Sequence, residues 1–541
     1  MSVQAVAGTY VVLLGINMDS ARTAGVFGFG IQRTDHDNGD KLDWLEGFKA
    51  FKNANLPRGA LVPTNEHPVQ AFLWGDYTAR KGHRYTYRVV AMRGQPGNLT
   101  ESEDVSVTFS MESEDVGDHA IYFNRGVAGS QAYEKKFPGK RPDEAGQAAY
   151  TWLSRGLEEA MVAFIQQAQD ASWGLRAAVY EFQYQPVLKE FKAAIDRGAD
   201  VLVVFDDRKG QNESPDYPQG PWKANTDALD SAGIGAANTK GRTKDPSYIS
   251  HNKFIVLLHD GEPVQVWTGS TNITRGGIFG HSNVGHIVRR KDVASAYLEY
   301  WKQLYGDPDA KALRKWDDSN SPVPATDPPE DAVIEIFSPR IGLGALQWYA
   351  SRMNIGAPVF FTAAFGVNKL FEQALASRTD LSYMLLEAPD DHMQALRENK
   401  FNRIVVGSLI PENTFERWLQ EHLTGFNEHV KYVHTKYMLI DPLGSDPVVI
   451  TGSANFSDAS TKNNDENMLV IRGSKYAADV YLSEFMRLFM HYYFRSIVNE
   501  RGPEGSDPEA GYLKGDDRWV KPYYQSGTPK YLERTYFCPD A

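Results

Sequence analysis

The sequence predicts an α/β protein made of two duplicated α/β/α halves related by a pseudo-two-fold axis, with a small all-β sandwich in front. Three observations carry this. A His-x-Lys phrase inside an apolar run occurs twice, at His251-Asn252-Lys253 and at His434-Thr435-Lys436. A Gly-Ser-x-Asn follows each, ending at Asn272 and Asn455, 19 residues past the lysine in both cases. The expected order of strands and helices around the two phrases is also shared. At 541 residues the chain exceeds a single core, and length alone suggests about three domains.

Taken in order, residues 1–116 carry short β-rich runs, such as TYVVLLGI and YTYRVVAM, separated by Gly, Asn, Asp and Pro. That spacing reads as an antiparallel sandwich. The alternating Tyr85-Thr86-Tyr87 resembles a late strand of a fibronectin type III-like module, with Tyr85 or Tyr87 as a corner tyrosine. The acidic run ESEDVGD reads as a linker. The first half, 117–320, opens on the strand AIYFNRG. One long amphipathic helix is expected through Trp152, Leu157, Phe164 and Ile165. The strand LRAAVYEF, the helix QPVLKEFKAAID stopped by Gly198, and the strand DVLVVFD follow. Residues 207–250 read as a long insertion that walls the site. His251 falls on the next strand, Asn272 after another, and VASAYLEYWKQLYGD closes the half. A Pro- and Asp-rich linker, SNSPVPATDPPED, leads to the second half, 321–498, which repeats the order from VIEIFSPR onward. The extension 499–541 is too aromatic for a disordered tail and is expected to pack on the catalytic domains.

Bulk composition narrows the function. A net charge of −12 and a pI near 5.6 argue against a protein that coats nucleic acid electrostatically. The single cysteine, Cys538, excludes an intramolecular disulfide and a Cys-based zinc site. No window approaches the roughly 18 apolar residues of a membrane span. The N-terminus lacks a basic region before its apolar run, so no signal peptide is read and a cytoplasmic setting is expected.

The repeated phrase carries the chemistry. Residues i and i+2 of a strand face the same side, so each histidine points with its lysine. A neutral imidazole attacks phosphorus, and a cationic one protonates a leaving oxygen. Lysine ammonium and asparagine amide groups bind non-bridging phosphate oxygens. One copy supplies a nucleophile without an acid. Two copies facing each other supply both, and fixed cations provide the charge stabilisation, so neither metal nor cofactor is required.

Here the chain resembles the phospholipase D superfamily of His-Lys-Asp phosphodiesterases, over roughly 119–497. His434, Lys436 and Asp441 match the family motif, as do Gly452 to Asn455, Asn464 and Glu466. The first copy departs from it. Leu258 stands at the Asp position, with Asp260 two residues on in an Asp-Gly turn pair, and the Glu is missing near Ser282-Asn283-Val284-Gly285. The resemblance implies a phosphohistidine intermediate, with His251 as nucleophile and His434 as acid and base. Lys253, Asn272, Lys436 and Asn455 would complete the reacting set, and Asp441, Glu466, Ser270, Ser453 and Asp260 would support it. Ser270 and Ser453 are expected to be structural, Arg242 an ordinary solvated arginine, and Glu181 and Tyr184 to end a strand preceding the motif, with lining of the cleft as the alternative. The substrate class is a phosphodiester. A phospholipid, through peripheral membrane contact, is favoured over nucleic acid, with a phosphodiester-binding scaffold as the non-enzymatic alternative. With both copies in one chain, a monomer suffices for catalysis.

Overall fold

In a computed structural model, the described residues are 1–54, 56, 60–126, 130–209, 220–245, 248–364, 366–388, 393–407, 433–501 and 511–539. The duplication is written in the strand pairing. In the first half, the strand His119–Phe123 pairs with Val284–Val288, and the sheet continues through Glu262–Gly269, Lys253–His259, Trp173–Val179, Asp200–Asp206 and Thr239–Arg242. In the second half, Val333–Ser338 pairs with Asn464–Arg472. That sheet continues through Val448–Gly452, Tyr437–Ile440, Val359–Ala363, Ser382–Leu386 and Asn402–Val406. Both sheets are mixed, with the same parallel and antiparallel contacts in the same places. Such a sheet is buried on both faces, which is why its strands read as near-continuous apolar runs.

The helices Lys291–Tyr305 and Lys475–Arg501 fill the space between the sheets. Tyr297, Tyr300 and Trp301 of one share a core with Tyr481, Phe485 and Phe489 of the other. Two expectations are corrected. The single helix through Trp152 and Ile165 is two, Gln147–Ser154 and Leu157–Gln166. The break falls at Arg155 and Gly156, both with positive φ (51° and 95°), where the buried Arg155 guanidinium reaches Glu484 at 2.7 Å. The segment 207–250 is not simply a loop either. It contains the helix Trp222–Ala232 and the edge strand Thr239–Arg242, while 210–219 and 246–247 lie outside the described residues.

Residues 1–110 form small antiparallel sheets, a three-stranded one (Ser2–Ala7, Val12–Asn17, Leu73–Asp76) and a four-stranded one (Val26–Asp35, Lys41–Trp44, Arg84–Gln95, Asn98–Ser110). The Tyr85 hydroxyl accepts from the Arg80 amide at 3.0 Å. The C-terminal extension enters this core as well as the second half. Trp519 packs on Phe29 and Phe72 and donates Nε1–H to the Val26 carbonyl at 2.9 Å. Further on, Glu533 accepts from the Tyr383 hydroxyl at 2.6 Å. Trp519→Ala is expected to cost about 3–5 kcal/mol, read as a lowered urea midpoint for loss of near-ultraviolet dichroism.

Candidate active site

Each histidine lies where its half crosses into the other. The short strand Ile249–Ser250, just before His251, runs parallel to Asn464 and Asp465 of the second half. Its mirror is a parallel bridge between Val433, just before His434, and Ser282 of the first half. His251 therefore precedes its strand rather than lying on it. The crossing delivers a partner from the opposite half to each ring. His251 Nδ1 lies 2.9 Å from Glu466 Oε2, and His434 Nδ1 lies 2.9 Å from Asn283 Oδ1. Each lysine donates Nζ–H to the carbonyl of its own histidine at 2.6 Å, His251 for Lys253 and His434 for Lys436. All four side chains are buried.

A constant offset of 183 residues relates the copies, taking His251 to His434, Lys253 to Lys436 and Asn272 to Asn455. The same offset takes Asn283 to Glu466 and His281 to Asn464. Sequence reasoning noticed a missing Glu near Asn283 but not that Asn283 takes its place. It missed His281, whose ring centroid is 4.6 Å from that of His434, and Tyr180, whose ring lies 4.9 Å from that of His251. The offset alone would have exposed the first two.

The remaining expected residues divide. Asn272 and Asn455 are buried, and the Oδ1 of each has no hydrogen-bond partner among the described residues. Asn272 Nδ2 donates to Glu181. Both serines brace strands. Ser270 Oγ donates to Asn283 Oδ1 at 2.8 Å, and Ser453 Oγ accepts from the Asn467 amide at 3.0 Å. The glycine before each is obligatory, because a Cβ there would meet the Val284 or Asn467 carbonyl oxygen at 2.2 Å. Asp260 stands at an exposed hairpin tip with φ 51° and does not reach the cluster. It is nonetheless the counterpart of Asp441, which has φ 45°. Each donates its amide to the strand-start neighbour, Ser172 or Pro358. The two hairpins are equal in length, but the first-copy strand ends at His259, two residues past the counterpart of Ile440, and its turn is tighter, so the aspartate shifts by two. Asp441 in turn accepts from the Tyr536 hydroxyl at 3.2 Å.

Tyr184 is engaged elsewhere, donating to Glu158 at 2.8 Å. Arg242 is not solvated. It is buried, 3.0 Å from Asp465 and 2.6 Å from Asp307, pinning the seam between the halves.

Electrostatics follow from burial. His251 is pushed down to about 4 by desolvation, with Glu466 opposing and Lys253 adding to the fall. His434 lies well below its ordinary value from desolvation, then Lys436 and His281. Lys253 is lowered to about 8 by burial, against the pull of Glu466. Lys436 is lowered further from its ordinary value by burial and by Lys253. Two crowded lysines and two imidazoles face the carboxylates Glu466 and Glu181, both of which act on Lys253, and Glu181 already accepts from Asn272; the lysine and imidazole groups are suited to an anion.

Among the described residues, one cluster brings three metal-ligating side chains together: Asp35, Asp37 and His83. It lies in the N-terminal sheets, where His83 Nδ1 already sits 2.8 Å from Asp35 Oδ1.

The model of a known family, the PLD-like domain of cardiolipin synthase, matches residues 161–305 and 383–489, one stretch in each half. Each half therefore carries one copy of the PLD-like domain of the phospholipase D superfamily.

Among solved structures, phosphatidylserine synthase from Haemophilus influenzae is similar at 11% identity, covering 70% of this chain and 93% of that one, with a TM-score of 0.45. Nuc from Salmonella typhimurium is similar at 23% identity over 28% of this chain and 87% of its own, with a TM-score of 0.22. Polyphosphate kinase from Porphyromonas gingivalis is similar at 12% identity over 59% of this chain, with a TM-score of 0.38, and the match spans 46% of that kinase. None of the curated proteins matches significantly. No helix among the described residues is long and apolar enough to cross a membrane.

Arg242→Ala would leave Asp465 buried and unpaired. The expected loss is roughly 3–5 kcal/mol, checked by urea unfolding against Arg242→Lys, which should lose less.

Proposed function

We propose that the protein cleaves or exchanges phosphodiesters through a phosphohistidine on His251, with His434 as acid and base. The observation that carries the roles is the unequal backing of the two rings: a carboxylate behind His251 and an amide behind His434. A ring phosphorylated at Nε2 keeps its Nδ1–H and a positive charge, and Glu466 stabilises that charge. Asn283 offers no negative charge, so protonated His434 remains a strong acid.

In the first step His251 Nε2 forms a bond to phosphorus. The P–O bond to the leaving alcohol breaks, and that oxygen takes the proton from His434. In the second step neutral His434 accepts a proton from water or another alcohol, whose oxygen attacks phosphorus and breaks the P–N bond. Lys253 and Lys436 hold the non-bridging oxygens, and Asn272 and Asn455 would join them.

Without substrate, burial and the lysines hold His434 neutral. A phosphodiester anion between the ammonium groups reverses the field at the ring and raises its pKa, so substrate binding loads the acid. Binding of a dialkyl phosphate at pH 7 is therefore expected to take up protons, seen by calorimetry in buffers of different ionisation enthalpy, and His434→Asn should diminish the uptake. Turnover, by contrast, should be bell-shaped in pH, since the histidines act in opposite protonation states.

A phospholipid is the favoured substrate. The acidic balance disfavours nucleic acid, and the matched family model is named for cardiolipin synthase. The deciding assay sets phosphatidylcholine vesicles beside single- and double-stranded DNA, all with EDTA. Lipid turnover is expected. DNA cleavage alone would move the substrate to nucleic acid, and loss of activity with EDTA would overturn the metal-free mechanism.

His251→Asn and His434→Asn should each lower turnover by about three orders of magnitude or more. Normal turnover in either would defeat the scheme, and phosphate trapped on His434 would reverse the roles. Glu466→Gln removes the group that raises the His251 pKa, so turnover should fall by about 10- to 100-fold.

A further inference from the structure

The offset that relates the two copies makes their differences informative. Asn464 supports the His251 side, with its Nδ2 3.3 Å from Glu466 Oε1. Its counterpart on the His434 side is an imidazole, His281, carried out of a single π turn at Gly276–Gly280.

The hydrogen bonds of Asn283 fix the protons. Its Nδ2 donates to the Gly277 carbonyl at 2.7 Å and to His281 Nδ1 at 2.9 Å. Its Oδ1 accepts from Ser270 Oγ at 2.8 Å and from His434 Nδ1 at 2.9 Å. His281 Nδ1 is thus an acceptor, and the neutral ring carries its proton on Nε2. Among the described residues that Nε2–H has no hydrogen-bond partner. A donor held this rigidly, beside the acid and without a protein acceptor, is arranged for something that binds there.

We propose that His281 is a substrate-binding residue of this site, donating its Nε2–H to the bridging oxygen of the leaving alcohol beside His434. The assignment rests on the phosphodiester reading and deepens it. Burial, with Lys436 adding, keeps His281 down to about 3, so it stays a neutral donor and does not compete with His434 for the proton. A donor on that oxygen matters most when the alcohol is a poor leaving group, so the site would be matched to alkyl phosphodiesters.

The test uses the full chain as wild type, His281→Ala and His281→Asn, assayed on methyl aryl phosphates from p-nitrophenyl to unsubstituted phenyl. His281→Ala is expected to lose about tenfold or more in kcat on the phenyl ester and under about threefold on the p-nitrophenyl ester. His281→Asn, which keeps a donor and matches Asn464, should recover part of the loss. If His281→Ala does not fold, His281→Asn is read in its place, with the same graded loss in smaller degree. An equal loss across the series would make His281 only a brace for Asn283, and no loss would remove it from the site. Either result overturns the proposal while leaving the phosphodiester reading intact. Absence of wild-type turnover on every ester would overturn both.

Discussion

The exchange of hydrogen bonds across the pseudo-two-fold seam is the constraint on which the site depends. Just before its histidine the first half sends a short strand, and the second half a single bridging residue, to the neighbouring half, and behind that histidine each receives a residue of the other half. Neither half holds a finished imidazole. The His251 ring is oriented by Glu466, and the His434 ring by Asn283. The seam is fastened by a buried polar network. Asn467 Nδ2 donates to Asn252 Oδ1 at 2.8 Å, Asn252 Nδ2 donates to the Tyr300 hydroxyl at 3.1 Å, and that hydroxyl donates to the Ser338 carbonyl at 2.7 Å. With its members paired, such a network fixes one arrangement of the halves and rejects slipped ones.

Chemical asymmetry was laid over this symmetric frame by few changes. Exchanging Glu for Asn and Asn for His at related positions gives one ring a carboxylate and the other an amide with a second imidazole. The strands and the crossings are shared, and the groups facing the two rings differ in charge. The same economy explains the aspartates. Asp441 and Asp260 fill one turn position at the end of equivalent strands, and neither handles a proton in the proposed scheme.

The N-terminal sheets and the C-terminal extension behave as one unit. Trp519 and Tyr523 fill the N-terminal core, while Tyr536 and Glu533 reach the second half. A segment distant in sequence thus couples the β domain to the turn that ends the His434 strand.

Much was legible in the sequence alone. Local signals suffice for a strand with period two, a turn at Asp260-Gly261 and a helix stopped before Gly198, because each depends on neighbours within a few residues. The doubled His-x-Lys and Gly-Ser-x-Asn announced two copies and their reacting groups for the same reason. The break at Arg155–Gly156 has a local glycine signal that the apolar periodicity running across it masked, while the ion pair from Arg155 to Glu484, more than 300 residues away, has no signal in the neighbouring sequence. Arg242 looked solvated because its partners belong to distant segments. The pairing of each histidine with the opposite half, and with it the inequality of the two rings, was decided only by tertiary structure. Hydrogen bonds between residues roughly 150 to 215 apart leave no periodicity for a sequence to display.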